Sequence, residues 1–315
     1  MMPQESKVLE ADPAQSRAVT VMIPAYNEAE KIGETVRALR KGTQGLVDKG
    51  FIIKIYVIND GSTDDTAKLA KEAGADRIVN HKVNRGLGAA IRTALAAARD
   101  DGADIAVKFD ADLQHDPADI EALIQPILDD DADVVYGNRF DRIEYRMPFI
   151  RRTGNLVFTR LMRWLTGWNV KDSQPGILAV NRAYLASFYM PGDYNYTQQI
   201  LLDSFHKGMR FTHVSVAFRK RVTGHSFISF RYPFKVLPQI IMVLVGVKPL
   251  RVFGPIGLLF VLLAIGVAGF DASQWIIADT AKPITHVNIT LGSFLFGVQT
   301  LFFGLLADLI VKQRY

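Results

Sequence analysis

Residues 252–270 are 19 consecutive positions without a charged side chain. A second uncharged stretch of 25 positions, which includes His286, separates Lys282 from Asp308, and its apolar part begins near Ile289. An apolar helix of about 20 residues crosses the roughly 30 Å hydrocarbon core of a bilayer. In lipid the backbone must satisfy its own polar groups, so such segments are helical. The pattern predicts two transmembrane helices, over about 252–270 and 287–309, within an anchor of residues 251–315. Asp271, Asp279 and Lys282 mark the connection between them. Lys248 and Arg251 precede the first span, and Lys312 and Arg314 follow the second. By the positive-inside rule the head and both termini are cytoplasmic. A pair of buried core helices is the competing reading, and the polar-flanked connection argues against it.

Charge is segregated along the rest of the chain. The net charge is −7 over residues 1–140, +12 over 141–251 and 0 over 252–315. A basic block directly before an apolar tail suits an anionic membrane surface or a phosphate ligand. Nucleic acid would also suit that block but leaves the tail unexplained, so none is expected. The absence of cysteine excludes a disulfide framework, a thiolate metal site and a cysteine nucleophile. Residues 1–17 are polar, carry no apolar signal segment and are expected to be disordered.

The acidic part alternates short β-branched runs with helix-like stretches. Strands are predicted over 19–23, 52–58, 77–80, 105–109 and 134–136, and helices over 29–41, 65–73, 87–99 and 118–128. This order implies an α/β fold with a mainly parallel sheet, whose ligands bind at the carboxyl ends of the strands. Asn27 and Glu28 fall there after the first strand, Asp60 after the second, and Asp110 and Asp112 after the fourth. Ser62 or Thr63 would cap the helix that follows Asp60. Arg85-Gly86-Leu87-Gly88 places two glycines before a helix, where backbone N–H groups could meet a phosphate.

Asp110-Ala111-Asp112-Leu113-Gln114-His115 is the most informative segment. Two carboxylates two residues apart point the same way if the backbone stays extended. Unpaired, they would repel, and a divalent cation removes that conflict. Oxygen donors from Asp110, Asp112 and Gln114 favour Mg²⁺ or Mn²⁺ over zinc, and such ions commonly bridge carboxylates to substrate phosphates. The alternative is an Asp-rich loop that caps the helix starting near Pro117, although Asp116 is better placed for that.

Seven pieces, in this order and spacing, resemble family 2 glycosyltransferases of the GT-A fold. They are Pro24-Ala25-Tyr26-Asn27-Glu28, Asn59-Asp60-Gly61-Ser62, Asn84-Arg85-Gly86-Leu87-Gly88, Asp110-Ala111-Asp112-Leu113-Gln114, Gly137-Asn138-Arg139, Asp172-Ser173-Gln174-Pro175-Gly176 and Tyr196-Thr197-Gln198-Gln199. The subgroup resembled is the polyprenyl-phosphate glycosyltransferases, which include dolichyl-phosphate mannose synthases and bactoprenol-phosphate glucosyltransferases. The likeness covers about residues 18–250 and implies a Rossmann-like GT-A domain over 18–228. It implies that Pro24, Tyr26 and Glu28 line a nucleotide pocket and that Asp60 holds the base or ribose side. Arg85 and Gly88 join that donor site. Asp110, Asp112 and Gln114 would hold the metal on the donor diphosphate, with Asp112 and Arg139 as the catalytic pair. Asp172 and Gln174 are acceptor-side groups by the same resemblance. Asn59 departs from the family, which usually has a first Asp there.

A basic amphipathic helix is predicted over 145–168, with Leu156, Phe158, Leu161, Met162, Trp164 and Leu165 among five arginines. Such a helix can lie in a membrane interface. A second amphipathic segment is predicted over 229–250, interrupted by Pro233 and Pro238. Packing of both on the head is the competing reading. The implied acceptor, a polyprenyl phosphate, keeps its chain in lipid, so its phosphate reacts at the interface. Arginine forks suit that phosphate, and Arg151, Arg152, Arg219 and Arg221 are the candidates.

The implied activity is transfer of a sugar from a nucleotide-diphosphate sugar, UDP- or GDP-linked, to undecaprenyl or dolichyl phosphate. A processive polysaccharide synthase would carry Gln-x-x-Arg-Trp, which is absent. A catalytically silent nucleotide-sugar-binding module would not need Asp110, Asp112 and Arg139 intact. A nicotinamide oxidoreductase would need a glycine fingerprint after the first strand. Short two-helix anchors often pack together, so a homo-oligomer is compatible with the tail.

Overall fold

The computed structural model describes residues 17–141, 149–190, 192–193, 195–218, 245–246, 248–278 and 282–314. The chain forms two compact units, residues 1–225 and 226–315. The predicted disordered terminus, most of the predicted 229–250 segment, and Arg219 and Arg221 lie outside the described residues.

The first unit holds seven strands: β1 (Ala18–Ala25), β2 (Ile52–Asn59), β3 (Arg77–Asn80), β4 (Ile105–Lys108), β5 (Val134–Asn138), β6 (Leu178–Asn181) and β7 (Phe211–Ser215). They form one sheet in the order β3-β2-β1-β4-β6-β5-β7. All pairings are parallel except the two made by β6. The central strands read as near-continuous apolar runs because both of their faces are covered.

Helices α1 (Ala29–Gly42), α2 (Gln44–Asp48), α3 (Thr66–Glu72), α4 (Leu87–Asp100) and α5 (Asp119–Leu128) alternate with the strands. Ile32, Val36 and Leu39 of α1 repeat at helical spacing and are fully buried in the core. Each contributes about 1.5–3 kcal/mol of hydrophobic stabilisation. Ile120, Leu123 and Ile124 of α5 join the same cluster. On α4 the buried stripe is largely alanine, which lets the helix pack against β1 and β2 at short range.

Helix α6 (Phe149–Thr166), α7 (Arg182–Ser187) and α8 (Tyr196–His206) complete the unit. A helix is present within the predicted 145–168 segment, but its apolar residues divide between two faces. Phe158, Met162 and Leu165 are buried in the unit, whereas Leu156, Val157 and Trp164 stay about half exposed. A single amphipathic stripe facing lipid is replaced by one packed face and one outward face.

The second unit is a hairpin of α9 (Pro249–Ala278) and α10 (Val287–Arg314). Both helices are long and apolar enough to cross a membrane. A Cβ added to Gly257 or to Gly297 would come within 2.8 Å of the other's carbonyl oxygen, so the helices meet on small residues. Asp271 corrects the sequence reading: it lies within α9 rather than in the connection. Its Oδ2 accepts the N–H groups of Thr285 and His286, and its Oδ1 pairs with His286 Nδ1. The carboxylate is consumed in pinning the segment that leads into α10, and these hydrogen bonds offset the cost of a charge inside an apolar helix.

Candidate active site

Parallel register brings the carboxyl ends of β1, β2 and β4 to one edge: Ala25 pairs with Asn59, and Met22 with Lys108. The loop after β1 is clamped to the loop after β2. Asn27 takes a left-handed φ of 53°. Its N–H donates to Ser62 Oγ, and its Oδ1 accepts from Thr63 N–H. Ser62 thus braces Asn27 rather than capping α3, whose first amide, Thr66 N–H, donates to Asp64 Oδ1. Gly61 has φ +73°, and a Cβ there would meet the Val83 carbonyl carbon at 2.4 Å, so only glycine fits. Pro24, Tyr26, Glu28, Asp60, Asp110 and Asp112 border one cavity of about 410 Å³.

Asp60 is already engaged by its own chain. Its Oδ1 pairs with His81 Nδ1 at 2.6 Å and accepts Arg85 N–H, and its Oδ2 accepts Gly86 N–H. Gly88 N–H donates to Asp193 O. The amides expected to meet a phosphate are therefore spent on protein acceptors: a buried carboxylate occupies the anion seat ahead of α4. Arg85 and Gly88 instead border a second cavity of about 610 Å³. Asn59, at the position of the family's usual Asp, donates to Asn80 Oδ1 and accepts Ser62 N–H.

Strand β4 ends at Lys108, and residues 111–113 turn rather than continue extended. Leu113 takes φ +60°, a costly value for a branched side chain. The turn still delivers Asp110 and Asp112 to the smaller cavity, and Asp110 borders the larger one as well. Gln114 is buried and borders neither cavity. Among the described residues no group of three or more His, Asp or Glu gathers to hold a metal. A pair of carboxylates nevertheless fits a hard divalent cation that takes its remaining oxygens from a diphosphate and water.

The floor of the larger cavity carries two buried cations. Lys108 Nζ lies 2.5 Å from Asp110 Oδ1 and donates to Gly176 O at 2.6 Å. Burial lowers its pKa, but the Asp110 carboxylate outweighs that and holds the ammonium above its ordinary range. Arg139 Nε lies 2.9 Å from Asp172 Oδ2, with the guanidinium over the rings of Phe140 and Phe218. Asp172 is fully buried, and its Oδ1 also accepts from Asn155 Nδ2 and from Gln174 N–H. One carboxylate therefore orients both the catalytic candidate Arg139 and the acceptor-side candidate Gln174, which borders the same cavity. A Cβ on Gly176 would sit 2.2 Å from His115 Nε2 and 2.8 Å from Asp110 Oδ2, so this glycine lets the loop close on Asp110. Arg151 and Arg152 lie within α6.

Lys108, His81 and Gly176 received no role from the sequence. Lys108 had a signal, since a lysine inside an apolar strand two positions before Asp110 shares its side of the pleat. His81 had none, because its partner Asp60 is 21 residues away.

Burial also pushes the His213 imidazole down to about 4. Its Nε2 accepts Lys171 N–H at 2.8 Å, which requires a neutral nitrogen. A depressed folded pKa gives stability that is complete above the unfolded value of about 6.5 and is lost as pH falls towards 4. The expected loss from this group is about 3 kcal/mol. Thermal unfolding of the first unit should therefore drop over that window, and His213→Gln should flatten the drop. A Tm independent of pH there would contradict the assignment.

A Rossmann-like sheet whose carboxyl edge opens into cavities bordered by carboxylates and buried cations is the architecture of an α/β enzyme with its site at the strand ends. Residues 20–188 match glycosyl transferase family 2, and residues 248–312 match the GtrB C-terminal hairpin. The chain belongs to glycosyl transferase family 2. It is 34% identical over 187 residues to the UDP-N-acetylglucosamine–dolichyl-phosphate N-acetylglucosaminyltransferase of Methanococcus voltae, covering 54% of this chain and 71% of that one. It is 25% identical over 318 residues to the dodecaprenyl-phosphate galacturonate synthase of Rhizobium johnstonii, covering 96% and 90% respectively. The fold matches glucosyl-3-phosphoglycerate synthase of Mycobacterium tuberculosis, crystallised with Mn²⁺, UDP and glucosyl-3-phosphoglycerate. That match has a TM-score of 0.56 and 26% identity, covering 73% of this chain and 79% of that one.

Proposed function

We propose that this glycosyltransferase moves a sugar from a nucleotide-diphosphate sugar to a polyprenyl phosphate, with inversion at the anomeric carbon. The observation that carries the reading is Asp110, which borders both the smaller, acidic cavity and the larger cavity floored by Lys108 and Arg139. The nucleotide lies in the first, against Pro24, Tyr26, Glu28 and Asp60. The sugar and the acceptor phosphate meet in the second. Relatives that act on dolichyl and dodecaprenyl phosphates, one of them matched along nearly the whole chain, support this acceptor class.

A phosphate monoester has a second pKa of about 6 and is mostly dianionic at neutral pH. It attacks without losing a proton, so no general base is needed. The protein has to align two anionic reactants and offset their charge. Asp110 and Asp112 would hold Mg²⁺ or Mn²⁺, and such an ion would offset the negative charge of the leaving diphosphate. Arg139, oriented by Asp172, faces the acceptor phosphate, with Gln174, Arg151, Arg152, Arg219 and Arg221 as further acceptor-side candidates. The apolar hairpin anchors the chain in the bilayer, with the catalytic unit and both termini cytoplasmic.

The test is incubation of the purified full-length protein with Mg²⁺ or Mn²⁺, undecaprenyl or dolichyl phosphate, and a panel of UDP- and GDP-sugars. One donor should give a polyprenyl-phosphate monosaccharide, and EDTA should stop its formation. Release of free sugar alone, or a lengthening polysaccharide, would overturn the reading.

A further inference from the structure

Lys108 is among the largest fully buried side chains of the molecule. Lysine is almost never fully buried unless paired. Its partner here is Asp110, one of the two carboxylates assigned to the cation, and Asp110 is itself 31% exposed. Asp110 Oδ1 faces the ammonium, which leaves Oδ2 for a diffusible ion. The second bond, to Gly176 O, and the Tyr196 ring 5.5 Å from Nζ fix the lysine in place.

A fixed positive charge beside a cation-binding carboxylate has two opposite effects. It repels a bare divalent cation that approaches the same carboxylate. It attracts the complex of that cation with a nucleoside diphosphate, whose net charge is negative. Both effects are strong at separations of a few ångströms in a partly buried site.

We propose that Lys108 makes cation binding conditional on the donor: it weakens the hold of Asp110 and Asp112 on the bare ion and strengthens their hold on the ion–diphosphate complex. The apo enzyme then stays poised for donor and cation together. Lys108 is a positioning residue that acts through Asp110 and the local field. The inference rests on the reading that Asp110 and Asp112 hold the cation.

The test measures binding rather than turnover. Full-length wild type, Lys108→Gln and Lys108→Met are titrated with Mn²⁺, alone and with UDP or GDP, and free Mn²⁺ is read by electron paramagnetic resonance. Lys108→Gln removes the charge but keeps a donor for Gly176 O, so it carries the test if Lys108→Met loses its fold. Both variants should bind bare Mn²⁺ about tenfold more tightly and Mn²⁺ with nucleotide about tenfold more weakly. A parallel loss of both affinities would make Lys108 a packing group and overturn the proposal. Unchanged affinities in Lys108→Gln would overturn it too, as would loss of folded protein in both variants, which assigns the charge to the fold. If wild type binds no Mn²⁺ even with nucleotide, the cation reading itself fails.

Discussion

Asp112→Ala is expected to lower kcat by about three orders of magnitude while leaving the fold intact. Asp112 sits half-buried on the turn after β4 and borders the smaller cavity. Its Oδ1 accepts Gln114 N–H at 3.1 Å, a local bond whose loss is tolerable on a partly exposed turn. In the proposed mechanism the reaction cannot spare this carboxylate. With one acidic ligand left, the cation would be held weakly, and charge on the departing nucleotide diphosphate would go uncompensated. Removing a single electrostatic stabiliser of a transition state commonly costs 10²- to 10³-fold, and a metal ligand supplies at least as much. Steady-state glycolipid formation at saturating Mn²⁺ checks this, with thermal unfolding as the control. Turnover near wild type would withdraw Asp112 from the cation site.

Asp172→Ala should instead act on stability first. Asp172 is fully buried, and Arg139 beside it is 4% exposed. Removing one member of a buried ion pair strands the other, at a cost of about 3–5 kcal/mol. The hydrogen bonds from Asn155 and from Gln174 N–H are lost as well. Thermal unfolding of the full-length protein should show a large drop in the transition of the first unit. Asp172→Asn keeps the shape and should recover part of it. A Tm within a degree of wild type for the alanine variant would mean that Arg139 does not depend on this carboxylate.

The sequence made the parallel half of the sheet legible for a physical reason. Strands buried on both faces are largely apolar runs, and they end just before the polar residues Asn27, Asp60 and Asp110. The run 19–23 was visible within β1, and 52–58 within β2. Strand β6 was not legible: it is four residues long and antiparallel, and it is defined by partners 42 to 76 residues away rather than by its own pattern. The split faces of α6 were equally hidden, because a helix with apolar residues on two sides does not declare which side meets the sheet.

At the site, the residues were legible and the pairings were not. Asp60, Asp110, Asp112, Arg139 and Gln174 all border the cavities or their junction. Yet Asp60 takes the Arg85 and Gly86 amides offered to a phosphate, and Asp271 sits inside α9 and holds the residues that lead into α10. Both outcomes come from one rule: a buried carboxylate gathers every donor within reach. Which donors are within reach is decided by tertiary structure. Lys108 follows the converse rule: here the ammonium is the buried group, and Asp110 is the partner that its burial requires.

The most direct measurement compares two acceptors that differ in one group. Purified protein, Mn²⁺ and the active nucleotide sugar are incubated with a polyprenyl phosphate or with the same polyprenol lacking the phosphate. Glycolipid should form only with the phosphate, because no side chain here is assigned to deprotonate a hydroxyl. Equal product from the alcohol would contradict the phosphate-nucleophile account.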